Sequence, residues 1–191
     1  MKQSYETFPF RLAKGIRMLV LDVDGVMTRG DIMIDDRCEQ MKAFNVRDGH
    51  GIKMLQRADI EVAVLTGRHS DVVAYRCKEL GIRHVIQGSL RKNVGIRSLC
   101  EQAGIAAEDC AYMGDDVVDL PAMKQCRLSM TPLDGYVGIK GKVDWVSGFV
   151  GGLGAVRQAC EGLILANGAW DEVMGEPYGV TPEESGWLIA G

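Results

Sequence analysis

Two rhythms alternate along the chain. Short, mainly apolar runs occur at Met18–Leu21, Ile60–Leu65, His84–Gln87 and Cys110–Met113, with two more at Arg127–Met130 and Asp144–Val146. Runs of this length between polar loops predict strands buried on both faces, as in the middle of a parallel sheet. Between them, apolar residues return at helical spacing. Ile52, Leu55 and Ala58, with Met54 beside them, predict a short helix with Asp48 as N-cap. Val73, Cys77 and Leu80 predict another, capped by Ser70 and stopped by Gly81. A third runs from Lys92 to Ala103 and ends at Gly104, and a fourth carries Asp119 with Pro121 in its first turn. Gly152–Asn167 reads as the closing helix. Strands alternating with helices predict an α/β fold, a doubly wound and mainly parallel sheet.

One segment breaks the rhythm. Asp31–Ile34, a polar turn at Asp35-Asp36-Arg37, and Glu39–Phe44 predict a protruding β-hairpin over about residues 28–45. A hairpin alone is marginal in water, so this one is expected to lean on something, with a second subunit as the candidate. The domain is expected to fill residues 1–167. Gly168–Gly191, rich in Gly, Pro and acids, predicts an irregular tail.

The bulk properties narrow the function. At 191 residues and 47% hydrophobic, the chain can build one sizeable core. A net charge of −4 and the lack of a basic stripe argue against a nucleic-acid partner. No apolar stretch is long enough to span a bilayer, and the N-terminal residues lack a secretion-signal pattern. Six cysteines without a Cys-x-x-Cys pair predict buried free thiols in a reducing cytosol. His50, His69 and His84 form no metal-spaced pair.

Four polar signals lie at, or just after, predicted strand ends, where open α/β sheets place their ligands. They are Asp22-Val-Asp24-Gly25, Thr66, Lys92, and Gly114-Asp115-Asp116 with Asp119. Gathered carboxylates repel unless a cation or shared proton intervenes, and an oxygen-only set suits magnesium. A hydroxyl and an ammonium suit phosphate. Together they predict phosphoryl transfer with an aspartate as nucleophile. Each signal has a plainer reading: a solvated turn, a capped turn at Thr66, a surface lysine, an acidic helix start at Asp115-Asp116. Their recurrence at successive strand ends favours the site. Gly49-x-Gly51 and Gly151-Gly-x-Gly154 do not follow a predicted strand as a dinucleotide loop requires. A phosphorylation-switch receiver would carry its acid pair after the first strand and its phosphorylated aspartate after a middle one, the reverse of the order here.

Asp22-x-Asp24-Gly-x-x-Thr28, Thr66, Lys92 and Gly114-Asp-Asp-x-x-Asp119 resemble the four motifs of the haloacid dehalogenase-like phosphatases. Further segments resemble the branch acting on 3-deoxy-D-manno-octulosonate 8-phosphate: Phe44-Asn-Val-Arg-Asp-Gly-His-Gly-Ile-Lys53, Thr66-Gly-Arg68, Gln87-Gly88 and Gly151-Gly-Leu-Gly-Ala-Val-Arg157. The resemblance implies Asp22 as nucleophile and Asp24 as general acid and base. Thr66 and Lys92 would hold the phosphoryl oxygens. Magnesium would sit on Asp22, the Asp24 carbonyl and Asp115, with Asp116 acting through water. Asp119 would orient Lys92 or the metal shell. The sugar acid would meet Asn45, Val46, Arg47, Asp48 and Gly49, with Arg68 and Arg76 for its carboxylate. The branch lacks a cap domain, and its hairpins build the core of a homotetramer. A cytoplasmic phosphatase of a sugar-acid phosphate, serving lipopolysaccharide assembly, is the expectation; a nine-carbon acid such as a neuraminate 9-phosphate is the alternative substrate. Thr131–Gly135, Arg29 and the tail with Trp170, Tyr178 and Trp187 depart from the branch pattern, and all bear on substrate choice.

Overall fold

The computed structural model describes residues 5–187. After a single helical turn, α1 (Phe10–Ala13), the chain enters β1 (Met18–Leu21). The hairpin strands β2 (Met33–Ile34) and β3 (Gln40–Met41) follow, then α2 (Val46–Arg57), β4 (Glu61–Leu65), α3 (Asp71–Leu80) and β5 (His84–Ile86). The second half runs α4 (Lys92–Ala103), β6 (Cys110–Met113), α5 (Leu120–Met123), β7 (Leu128–Thr131), α6 (Val137–Lys140), β8 (Trp145–Val146) and α7 (Ala155–Ala166).

Six strands form one parallel sheet in the order β5-β4-β1-β6-β7-β8. This is the doubly wound sheet that the alternating runs predict. β1 is central, and all four of its residues are buried. Strand alternation divides the core into two layers. Leu19, Leu21, Val62, Val64, Ala111 and Met113 face one layer with Ile52 and Leu55 of α2, Val73 of α3 and Leu163 of α7. Met18, Val20, Ala63, Leu65 and Tyr112 face the other with Ile96 and Leu99 of α4 and Met123 of α5. Gly81 and Gly104 end α3 and α4 in the left-handed conformation, φ 70° and 64°, as their positions predict.

Three expectations need correction. Asp48 is not the N-cap of α2. Asn45, in extended backbone, holds that place, and its Oδ1 accepts from the Arg47 amide at 2.8 Å. The hairpin exists but its ladder is short, pairing Met33 with Met41 and Ile34 with Gln40, with Asp35 Oδ1 closing the turn on the amides of Arg37 and Glu39. The segment after Asn167, expected to be irregular, makes a π turn at Asp171–Gly175, a short α8 (Glu176–Tyr178) and a 3₁₀ turn at Glu183–Ser185. Its tryptophans bring it back onto the domain. Trp187 is 1% exposed, meets Tyr5 and Phe8 edge to face, and donates Nε1–H to Glu161 at 2.9 Å.

Candidate active site

The central strand delivers the first acids. β1 ends at Leu21, and the Asp22 amide still bonds the Met113 carbonyl, extending the ladder by one residue. The chain then turns sharply: the amides of Val26, Met27 and Thr28 all donate to the Val23 carbonyl. Gly25 makes the turn possible. Its φ is +81°, and a Cβ there would stand 2.0 Å from Asp115 Oδ2. Gly151 and Gly152 press on the same turn from the other side, the Gly152 amide donating to the Val26 carbonyl at 2.8 Å.

β4 and β6 flank β1 and bring the other groups beside it. Thr66 follows β4 and is buried, its amide on the Ile86 carbonyl. Lys92 opens α4 with its side chain 4% exposed, and Nζ donates to Asp22 Oδ2 at 2.5 Å and to Asp119 Oδ1. Asp119 is a hub. The Tyr112 hydroxyl also donates to its Oδ1, at 2.9 Å, and the amides of Asp115 and Asp116 donate to Oδ2 at 3.2 Å. It therefore fixes both Lys92 and the acidic loop.

Asp22, Asp115 and Asp119 each bring a carboxylate oxygen within 4.8 Å of the others. Three negative charges face one ammonium. The imbalance bears on the pKa of each group. Burial, with the charge of Asp119 and against that of Lys92, pushes Asp22 from 3.8 up to about 6. Burial and the charges of Asp22 and Asp119 push Asp115 from 3.8 to about 7. Burial pulls Lys92 down, but Asp22 and Asp119 outweigh it and the net direction is up. The two uncompensated charges match a divalent cation, and every donor is a hard oxygen. Asp119 has its oxygens committed to four donors, which leaves Asp22 and Asp115 better placed to hold the ion. The Asp24 backbone carbonyl accepts no hydrogen bond among the described residues and is a third available oxygen. Asp116 Oδ1 accepts from the Val117 amide at 2.6 Å.

The structure thus gathers Asp22, Thr66, Lys92, Asp115 and Asp119 at one sheet edge. Asp24 lies beside them, 28% exposed, with Arg68 Nε 3.9 Å from its Oδ2. Lys42 pairs with Asp24 Oδ1. Sequence reading gave Lys42 no role, because one lysine in a polar hairpin carries no periodic signal. The residues expected around the sugar are more dispersed. Val46 is exposed at the start of α2. Arg47 lines a separate cleft of about 530 Å³ with Tyr5, Phe149 and Arg157. Gly49 makes room for Arg76, whose guanidinium lies over the Phe44 ring at 5.7 Å. The Arg76 Nε is buried without a partner. Asp48 turns away from the acid cluster. It is 3% exposed, and its carboxylate accepts from the amides of Gly154 at 3.2 Å and Arg157 at 2.8 Å.

A parallel sheet with this acid cluster, ammonium and hydroxyl at its carboxyl edge is the arrangement of a haloacid dehalogenase-like hydrolase, and the model of that family matches residues 48–127. The 3-deoxy-D-manno-octulosonate 8-phosphate phosphatase KdsC of Escherichia coli (strain K12) is 44% identical over 164 residues, covering 86% of this chain and 87% of its own. The crystal structure of the Yersinia pestis phosphatase of the same name is 40% identical with a TM-score of 0.84, covering 87% of this chain and 90% of its own. That of the Moraxella catarrhalis phosphatase, in complex with magnesium, phosphate and KDO, is 35% identical with a TM-score of 0.81, covering 90% and 96%. The chain belongs to the haloacid dehalogenase-like hydrolases, in the branch of the 3-deoxy-D-manno-octulosonate 8-phosphate phosphatases.

Proposed function

We propose that this chain hydrolyses 3-deoxy-D-manno-octulosonate 8-phosphate to the free sugar acid and phosphate, with magnesium as cofactor. One observation carries the reading: a buried aspartate at the end of the central strand, set against Lys92 and a second acidic loop. The relatives support the eight-carbon acid over the nine-carbon alternative.

An Asp22 oxygen attacks phosphorus and the ester P–O bond breaks, while Asp24 gives its proton to the departing sugar oxygen. Asp24 then takes a proton from water, whose oxygen bonds phosphorus as the Asp22–phosphorus bond breaks. Lys92 and Thr66 hold the phosphoryl oxygens as charge shifts. Asp22, the Asp24 carbonyl and Asp115 would hold magnesium, with Asp116 acting through water. The ion supplies positive charge against the phosphoryl oxygens. Arg68, Arg76 and the start of α2 at Asn45, Val46, Arg47 and Gly49 would meet the sugar acid, the guanidinium groups matching its carboxylate, although Arg76 already pairs with Glu79 at 2.7 Å and the Asp48 carboxylate is committed to α7.

The hairpin exposes Ile32, Met33, Ile34 and Met41, which supports assembly through it, and a homotetramer is the proposed state. All six cysteines are free thiols, which supports a cytoplasmic setting. Among the described residues no helix is long and apolar enough to cross a membrane. Phosphate release from octulosonate 8-phosphate and from nine-carbon acid phosphates tests the substrate. Light scattering tests the tetramer. Asp22→Asn is expected to abolish turnover, and retained turnover would remove Asp22 as nucleophile.

A further inference from the structure

We propose that Lys42, at the foot of the hairpin, is a positioning residue for Asp24 and ties the hairpin to the chemistry. The proposal rests on the phosphatase reading above. A lysine leaving an exposed hairpin ordinarily extends its head into water. Lys42 does the opposite. Its side chain is 6% exposed, while Met33, Ile34 and Met41 beside it are exposed, and its Nζ pairs with Asp24 Oδ1. Among the described residues, the other oxygen of Asp24 has only a loose neighbour, Arg68 Nε at 3.9 Å with a side chain 45% exposed.

The backbone under Asp24 is fixed by the three amides that converge on Val23, so the remaining freedom lies in its side-chain rotamer. Lys42 sets that rotamer. The segment carrying Lys42 is itself anchored: Phe44 lies beneath Arg76, and Asn45 caps α2. Anything that stiffens the hairpin, including a second copy of this chain, therefore also stiffens the acid.

The role is specific to proton delivery. As the Asp22–phosphorus bond forms and the ester P–O bond breaks, a sugar alkoxide needs the Asp24 proton, whereas nitrophenolate leaves without one. The test compares kcat/KM, which covers the steps through leaving-group departure, for the sugar-acid phosphate and p-nitrophenyl phosphate. Lys42→Met is expected to lose roughly 10–100-fold on the sugar ester and less than about threefold on the nitrophenyl ester. Lys42→Arg is expected to recover most of the loss. Equal losses on both esters, or no loss, would overturn the proposal. If Lys42→Met does not fold, Lys42→Gln carries the same comparison. A wild-type protein inert towards both esters would instead overturn the phosphatase reading.

Discussion

Asp48 offers the sharpest separation between a residue's expected and observed roles. The family pattern places it near the sugar, whereas the structure places its carboxylate over the first turn of α7. There it accepts from the amides of Gly154 and Arg157, two donors that the helix itself leaves without partners. It is an N-cap supplied from another helix. A hydrogen bond to a charged group contributes about 1.5–3 kcal/mol, and an unpaired buried amide costs about 1–3 kcal/mol. Burial raises the Asp48 pKa despite the two hydrogen bonds, so desolvation outweighs their gain for the carboxylate and the cost of removing it lies in the two amides left unpaired. Asp48→Ala should therefore cost about 2–4 kcal/mol, which for a chain of this size lowers Tm by roughly 5–15 °C. Asp48→Asn keeps one acceptor and turns an NH₂ towards the other amide, so it should cost about half as much. Calorimetry and urea titration of both variants measure this, with kinetics on the survivors. A destabilisation below about 0.5 kcal/mol, accompanied by a large rise in KM, would refute the cap and return Asp48 to the substrate.

Gly25→Ala combines a φ of +81° with a Cβ 2.0 Å from Asp115 Oδ2, so magnesium affinity by calorimetric titration and turnover should fall together; a normal variant would mean the turn relaxes freely. In metal-free protein, Asp22 at about 6 and Asp115 at about 7 bind protons that the unfolded chain, at 3.8, has already lost. Stability without metal should therefore fall as pH rises from about 4 to about 7, and the Tm gain from magnesium should be larger at about pH 8 than at about pH 5.5. Equal gains in a fluorimetric melt at the two pH values would contradict this. Trp187→Ala removes a buried indole and leaves a Glu161 oxygen without its donor, an expected loss of about 3–5 kcal/mol by urea unfolding. A loss under about 1 kcal/mol would mean that the C-terminal segment adds little to the core.

Much of this architecture was legible because each local signal agreed with the global fold. Met18–Leu21, Cys110–Met113 and Lys92–Ala103 form at the expected residues. Strands buried on both faces leave no polar alternation to misread, and glycine stops need only local backbone geometry. The motif residues at the sheet edge were legible for a related reason: in a parallel sheet, a polar residue just after a buried run must emerge at the ligand-binding end. Other features were not local. Trp187 owes its burial to Tyr5 and Phe8, far away in sequence, and to Glu161, while Trp170 donates Nε1–H to the Val180 carbonyl at 2.9 Å. Asn45 caps α2 with its own side chain while the Asp48 carboxylate goes to α7, and no window around residue 48 contains α7.

The sequence by itself determined the parallel sheet, the ends of its strands and the residue types presented there, since periodicity, turn glycines and charge follow from neighbours along the chain. Only the tertiary structure decided how the charges pair. It joined Lys92 to both Asp22 and Asp119, committed Asp119 to the acidic loop, turned Asp48 away to α7 and brought Lys42 inward to Asp24. Pairing depends on distances of a few ångströms between segments as much as 109 residues apart, and only packing sets those distances.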